Sequence, residues 1–437
     1  MPNFPEFVHW FRAAAPFINA FRDKTFVVAF GGEMLADGQF TGLAHDLNLL
    51  NSLDVRLVLV HGVRPQVEEH LLERKVAIRY VEGLRVTDDN ALACVKEAVG
   101  EVRVEIEAQL SMGMLNTPMA NADIRVVSGN YVTAQPMGVR NGVDLIHTGN
   151  VRKINDVAIR QRLDDHDVVL LSPLGYSPTG EIFNLSLEDV ARTAASALKA
   201  DKLIFLMDQD GVLDQDGQVI NQLTVPEAQQ YLAQRKQTED DTSYYLPAGI
   251  TACQNGVARC HFISRHYDGS LLAELFTHDG IGSMLSQARL ETLRPATMDD
   301  VGRILQLIRP LEEGGTLVRR SQERLEMDIQ RFQVLEYDGH VIGCAALYPF
   351  SDDQAGEMAC LVVHPDYRGH DLGNRLLQAV EQNARALHLK KLWALTTHTE
   401  HWFIERGFQP ASVADLPAEK QATYNTERRS KVFVKRL

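Results

Sequence analysis

Leu361 to Leu377 reads LVVHPDYRGHDLGNRLL: an aliphatic run, a loop punctuated by proline and glycine, and the opening of a helix. Leu361 to Val363 are apolar enough for a buried strand. His364-Pro365 ends it, because proline has no N–H for a ladder and restrains the residue before it. Beyond the loop, Leu372, Leu376, Val380, Ala384 and Leu387 recur at steps of three or four, so one helix face belongs to a core. A helix N-terminus behind such a loop presents unpaired backbone N–H groups and the positive end of the dipole to an anion. An Arg and two glycines before a helix also fit an ordinary turn, so the neighbouring sequence decides.

Downstream, LWALTTHTEHWFIERGFQP (Leu392 to Pro410) supplies a second strand, a polar turn and a short aromatic helix closing on Gly407-Phe408. The pair of segments resembles the GNAT acetyltransferase superfamily, over residues 290 to 437. In that superfamily an Arg/Gln-x-x-Gly-x-Gly/Ala loop holds the pyrophosphate of coenzyme A. Here Arg368, Asp371 and Gly373 occupy the three positions, so an aspartate stands where a glycine is usual. A carboxylate beside a diphosphate is unfavourable, and Asp371 is expected to point outward as a helix cap, a role suited to its type. The resemblance implies that acetyl-CoA is held by Cys360, Leu361, Val363, Arg368, Gly369, His370, Asp371, Gly373 and Asn374.

With 437 residues and 45% hydrophobic content, the chain is long enough for two domains. Its formal net charge of -14 argues against nucleic acid or an anionic membrane as partner, since both require basic surface. No run of membrane-spanning length and no secretory signal pattern is present, and cytoplasm is the expected compartment. Five cysteines, Cys94, Cys253, Cys260, Cys344 and Cys360, are scattered without a Cys-x-x-Cys pair, so no metal site is expected.

The first two-thirds alternates apolar β-rich runs (Thr25 to Phe30, Arg56 to Val60, Ile124 to Val127, Val168 to Leu171, Leu203 to Met207) with helical stretches such as Asp89 to Leu110 and Asp189 to Ala200. That order predicts an α/β fold with an open, parallel-rich sheet sandwiched by helices. Asp208 to Gly217, with two Asp-Gly pairs, fits a hairpin. Three parts are expected: a domain over residues 1–282, a linker over 283–293, and a mixed α/β GNAT domain over 294–437.

Five segments of the first part, AFGGEML (Ala29 to Leu35), VHGVRPQV (Val60 to Val67), GLRVTD (Gly83 to Asp88), FNLSLEDVA (Phe183 to Ala191) and FLMDQDGVL (Phe205 to Leu213), resemble in order and spacing the amino acid kinase fold, most closely its N-acetylglutamate kinase branch. In the kinases the first segment carries a lysine that neutralises the transferring phosphoryl group. Ala29 stands there, and Val63 and Arg64 replace the glycine-rich phosphate cradle. Phosphoryl transfer depends on electrostatic positioning, so the domain is expected to be inactive as a kinase. Arg85 and Asn184 keep positions that bind the carboxylate end of N-acetylglutamate, or serve structure alone. A further resemblance, to arginine-sensitive members of the branch, implies an arginine site from His266, Gly269, Glu274, Gly280 and Gly282, with Lys202 and with Phe17 where a tyrosine is common. A guanidinium needs carboxylates and an α-carboxylate needs a cation or free N–H groups, which these residues can offer.

A disabled kinase-like domain fused to an acetyltransferase resembles the bacterial N-acetylglutamate synthases along the whole chain. This implies acetyl transfer from acetyl-CoA to the α-amine of L-glutamate, the first step of arginine biosynthesis, with feedback inhibition by L-arginine. It also implies a homo-oligomer, a hexamer in the arginine-sensitive branch. The ammonium of glutamate must lose a proton before it attacks a thioester, and Glu357 is the expected base, directly or through a water. The backbone N–H groups of Cys360 and Leu361 would polarise the thioester carbonyl. Phe403 stands where many GNAT enzymes have an acid tyrosine, which leaves Thr396 or water to protonate the thiolate. Arg320 and Arg428 match the substrate-carboxylate positions, with Arg319 and Arg429 as one-residue alternatives. A bifunctional kinase–acetyltransferase and a non-catalytic arginine sensor are the competing readings.

Overall fold

The computed structural model describes the chain except residues 1–3, 236–237, 278–279, 290, 338, 368–370, 398 and 427 and the side chain of Asp366. Arg368, Gly369 and His370 of the expected coenzyme loop therefore lie outside the described residues. The chain forms two compact units, Met1–Ala288 and Arg289–Leu437.

The first unit is built on strands β1 (Thr25–Phe30), β2 (Arg56–His61), β3 (Val126–Val127), β4 (Val168–Leu171), β5 (Lys202–Met207), β6 (Gln222–Thr224), β7 (Arg259–Ser264) and β8 (Ser283–Ser286). They lie in the order β6-β8-β7-β5-β1-β2-β4-β3. All neighbours are parallel except the pair β7 and β8. A continuous apolar strand suits a sheet covered on both faces, and every residue of β1 and β5 is buried. Helices α1 (Phe4–Phe21), α2 (Asp89–Leu110), α3 (Leu187–Leu198) and α4 (Ser270–Phe276) belong to this unit. The sheet separates two apolar clusters, one containing Ala29, Val60 and Phe205 and the other Phe26, Phe30 and Leu206.

Several expectations need correction. Helix α3 starts two residues earlier than expected because the Ser186 side chain accepts from Asp189 N, and it ends at Lys199, which is left-handed at φ 47°. Only the second Asp-Gly pair closes a tight turn, with Asp214 N donating to Gln218 O at 2.8 Å and Gly217 N to Asp214 O at 3.2 Å. The segment 283–293 is no free linker. Its start is β8, paired to β7, and its end lies in β9 (Glu291–Pro295), the edge strand of the second unit.

That second sheet adds β10 (Phe332–Tyr337), β11 (His340–Phe350), β12 (Ala355–Val363), β13 (Lys391–Thr396), β14 (Gln409–Ala411) and β15 (Lys431–Arg436), in the order β9-β10-β11-β12-β13-β15-β14. Only β12 and β13 run parallel. Helices α5 (Val301–Glu313), α6 (Leu372–Ala386), α7 (Glu400–Glu405) and α8 (Ala418–Ala422) belong to it, together with a short helix over Gln322–Asp328. Leu372, Leu376, Val380 and Ala384 of α6 are buried as their spacing predicts. A fully buried leucine contributes about 1.5–3 kcal/mol. Leu387 is the exception: it caps α6 and is 55% exposed, because the helix ends before the stripe comes round again.

Candidate active site

The parallel pair β12/β13 is in register only from Ala355–Lys391 to Met358–Ala394. Beyond it β12 runs on to Val363 and β13 to Thr396, so the strands part. The cause lies in β12. Its pairing with β11 passes from Ala346–Ala359 to Cys344–Val362, which leaves Cys360 and Leu361 opposite the single residue Ala345. This is a β-bulge, with Cys360 at φ 51°. Residues 359 to 363 thereby keep a backbone edge with no strand partner on the β13 side among the described residues, and an extended amide-bearing ligand can pair with such an edge. Leu361 and Val363 are half-buried against the α6 face of the sheet.

At the end of this cleft stands the N-terminus of α6. Asp371 is exposed, as expected, but it does not cap. It is left-handed at φ 56° and makes no side-chain cap hydrogen bond, its carboxylate accepting instead from Asn374 Nδ2 at 3.1 Å. Its charge is offset by Arg406, whose guanidinium lies 3.9 Å away and stacks 4.1 Å over the Trp402 ring. Gly373 has a packing role: a Cβ there would lie 3.2 Å from Trp402 Cζ2. The helix N-terminus thus stands beside an aspartate whose carboxylate is engaged by Asn374 and lies near Arg406, and the positive end of the helix dipole favours an anion there.

On the opposite face of the sheet lies a second cluster of functional groups. Glu357 shares its face with its ladder partners Tyr348 and Trp393. Glu357 is 9% exposed, and its carboxylate is paired with Lys420 Nζ of α8 at 2.8 Å. Arg320 is half-buried and Arg319 exposed; Arg428 is half-buried and Arg429, at φ 50°, is exposed. The inward-facing members are therefore Arg320 and Arg428. Burial and the nearby charge of Arg320 hold Arg428 below the ordinary guanidinium value. Arg428 donates to Thr316 O, while its Nε is buried with no hydrogen-bond partner among the described residues. Burial opposes the charge of Arg320, but Cys360, Tyr348 and Glu357 raise its value. Two mutually repelling guanidiniums with an orphaned N–H call for an anionic ligand.

Burial pushes the Cys360 thiol up to about 11; Arg320 pulls it back while Glu312 and Glu357 add to the rise. A thiol held protonated at neutral pH is a poor nucleophile. Thr396 is on the α6 face with Met358 and Ala394, away from Glu357. Its Oγ1 accepts from Thr399 N at 3.1 Å and lies 3.0 Å from Thr399 Oγ1. Phe403 is buried and stacks on Phe433 at 6.2 Å, so it contributes packing only. Sequence reasoning missed Lys420 and Arg406, whose carboxylate partners Glu357 and Asp371 lie far back in the chain, and Tyr348, which meets Glu357 only through the strand pairing. Among the described residues, no group of three or more His, Cys, Asp or Glu side chains could hold a metal, and no helix is long and apolar enough to cross a membrane.

The first unit holds a cavity of about 840 Å³ lined by Gly31, Gly32, Val63, Arg64, Arg85, Asn184 and Glu188, among others. Ala29, at the position of the kinase lysine, is fully buried in the apolar core. Burial and neighbouring carboxylates raise the pKa values of Glu33 and Asp241, which line the same cavity, and burial is the largest cause at Glu188 as well. Arg64, Arg85, Arg140 and Arg265 line the cavity as well, so it carries charges of both signs.

The expected arginine residues are only partly assembled. Glu274 Oε2 accepts from Ile281 N at 2.8 Å and Gly282 N at 2.9 Å. Glycine is needed at 280, at φ 62°, where a Cβ would lie 2.4 Å from Glu274 Oε2. A Cβ at Gly282 would likewise meet Phe262 O at 2.3 Å. The loop N–H groups expected to bind a ligand carboxylate are thus taken by Glu274 itself. Lys202, 6% exposed, lies 5.3 Å over the Phe21 ring, and Phe17 is 6.2 Å from that ring. His266 faces elsewhere, 3.4 Å from Asp208 Oδ1.

Residues 24–264 match the amino acid kinase family and residues 298–408 the acetyltransferase (GNAT) family. Fold and site together define a GNAT-type acyltransferase carried behind an amino-acid-kinase-like domain. The chain is 53% identical over 436 residues to the amino-acid acetyltransferase of Ralstonia nicotianae, covering 100% of this chain and 96% of that one. It is 52% identical to that of Azotobacter vinelandii, covering 99% and 100%. The chain belongs to the amino-acid acetyltransferase family and is an acyltransferase. Among solved structures, N-acetylglutamate synthase from Neisseria gonorrhoeae complexed with coenzyme A and L-arginine matches with a TM-score of 0.87 at 38% identity over 99% of both chains. The same enzyme complexed with coenzyme A and N-acetyl-glutamate matches at 0.63 with the same coverage.

Proposed function

We propose that this enzyme transfers acetyl from acetyl-CoA to the α-amine of L-glutamate, releasing N-acetyl-L-glutamate and CoA, as the first step of arginine biosynthesis under feedback by L-arginine. The observation that carries this reading is the face bearing Glu357: a carboxylate with Arg320 near it and Arg428 near Arg320, neither guanidinium in an ion pair among the described residues. Glutamate brings two carboxylates to Arg320 and Arg428, and its ammonium goes to Glu357, where Lys420 now stands. Glu357 removes a proton, directly or through a water, and the free amine attacks the thioester carbonyl. The bulge at Cys360 and Leu361 offers N–H groups to the developing oxyanion, and the carbonyl re-forms as the C–S bond breaks. Thr396 or water protonates the departing thiolate.

The coenzyme lies along the open edge of residues 359–363 with its pyrophosphate at the start of α6, next to Gly373 and Asn374. The family resemblance assigns Arg368, Gly369 and His370, which lie outside the described residues, to the same ligand. The kinase-like unit carries out no phosphoryl transfer in this reading: Ala29 has no charge to offer, and Val63 and Arg64 stand where a glycine-rich phosphate cradle would be. Arginine binds that unit through Lys202 and Glu274, with the loop from Gly280 to Gly282 holding Glu274 and the helix bearing Phe17 alongside. The unit also supports self-association, favoured by exposed Phe4, Phe7, Trp10 and Phe11 on α1. We place the enzyme in the cytoplasm, where its five free, buried cysteines remain thiols.

Thiol release from acetyl-CoA, followed with a panel of amino acids and amines, tests the reading. Release should require L-glutamate, be at least about tenfold slower with glutamine, and fall on addition of L-arginine. Equal rates with unrelated amines contradict the acceptor, and indifference to arginine contradicts the feedback. Binding of arginine without any turnover would point to the sensor reading instead.

A further inference from the structure

His261 belongs to no part of the arginine pattern, yet it is 4% exposed in the middle of β7 and joins two residues of that pattern. Its Nδ1 lies 2.6 Å from Glu274 Oε1, and its Nε2 lies 3.1 Å from Lys202 Nζ. An ionised carboxylate only accepts and an ammonium only donates, so both contacts are satisfied by one form of the ring: neutral, with the proton on Nδ1. Burial and the Lys202 charge bring the histidine down to about 4, in keeping with that form. Burial raises the Glu274 value, but the hydrogen bonds from His261, Gly282 and Ile281 overcome it and hold the carboxylate down to about 2. The result is a closed chain from Lys202 through His261 to Glu274 and the loop of Ile281 and Gly282. A cavity of about 340 Å³ lies beside it, bounded by Tyr267, Asp268, Gly269, Ser270, Ala273 and Ile281, and neither Glu274 nor Lys202 lines it.

We propose that His261 is a gate on the arginine site: its ring occupies the Glu274 oxygen that a guanidinium must take and the Lys202 ammonium that an α-carboxylate must take. This rests on the reading of Lys202 and Glu274 as arginine ligands. Arginine binds by displacing the ring, with its guanidinium on Oε1 and its carboxylate on Lys202. A ligand carrying only one of the two charges replaces only half of the chain. The gate therefore selects a bifunctional cationic amino acid over a simple guanidine or a simple carboxylate.

Two variants separate the contacts. In His261→Gln the amide can reach Lys202 but leaves Oε1 of Glu274 open. In His261→Asn the amide nitrogen lies near the place of Nδ1 and keeps Oε1 occupied. A carboxylate oxygen no longer in competition is expected to tighten arginine binding by about tenfold in the Gln variant; the Asn variant releases only one of the three N–H donors of Lys202 and should gain less than about threefold. The readouts are calorimetric affinity and half-inhibition of glutamate-dependent thiol release, on full-length protein with an unchanged melting temperature. Unchanged or weaker binding in the Gln variant, or equal tightening in both, overturns the gate. A wild-type protein that binds no arginine overturns the underlying reading instead. The wild type supplies an independent measurement in the ¹⁵N spectrum of histidine-labelled protein. The His261 Nδ1–H signature is expected without arginine and should be lost at saturation; its persistence there also overturns the gate.

Discussion

Glu357→Gln should lower kcat for acetyl transfer to glutamate by about 10²- to 10⁴-fold, the usual loss when a positioned base is removed. The substitution keeps the shape of the side chain, and the amide oxygen can still accept from Lys420 Nζ, 2.8 Å away in the native pair. Folding and coenzyme binding should therefore survive, and KM for acetyl-CoA should stay within about threefold, because the open edge of β12 is a backbone feature. A stopped assay at saturating glutamate measures the effect. Near-native kcat in the Gln variant would remove Glu357 from the chemistry and leave the Lys420 pair as a structural strut at the strand end.

The second large effect belongs to the arginines. Truncating Arg320 or Arg428 to Ala should raise KM for glutamate by about 10²-fold, since each loses a charge-assisted contact to a carboxylate. KM for acetyl-CoA should be unaffected. The two variants should differ in one respect. Whichever arginine holds the side-chain carboxylate sets the preference for glutamate over glutamine, so its loss should collapse that ratio towards one, while loss of the other weakens both substrates alike. Steady-state kinetics with the two amino acids reads this out. If neither variant changes KM for glutamate, the paired guanidiniums serve the fold alone.

Much of this was legible in the sequence where chemistry is local. The stripe from Leu372 to Ala384 and the Pro365 strand end lie in one short stretch, and the structure has them where periodicity puts them. Ala29 sits inside a strand the sequence marks, so its burial follows once the strand is placed; Glu357, expected just before a strand at Leu361, lies inside one that begins at Ala355. Asp371 was half legible. Its type suggested a cap, but the left-handed backbone at φ 56° turns the side chain away from the helix N–H groups, and backbone sign cannot be read from residue type. The bulge at Cys360 was hidden for a different reason: it depends on how many residues β11 sets against β12, which only the pairing reveals. Lys420 and His261 were missed because their partners are distant in the chain or lie across the sheet, and an isolated lysine or histidine carries no signature. The pattern around Glu274 named the right carboxylate and glycines, yet could not show that they satisfy one another.

The fate of the acetyl group tests the central claim most directly. With acetyl-CoA labelled by ¹³C at the carbonyl and L-glutamate labelled by ¹⁵N at the α-nitrogen, the enzyme should produce one ¹³C–¹⁵N amide per CoA released. That coupling should grow in step with free thiol and disappear in Glu357→Gln. Thiol release without the coupled amide, or label found on the protein or on another acceptor, would contradict direct transfer to the α-amine of glutamate.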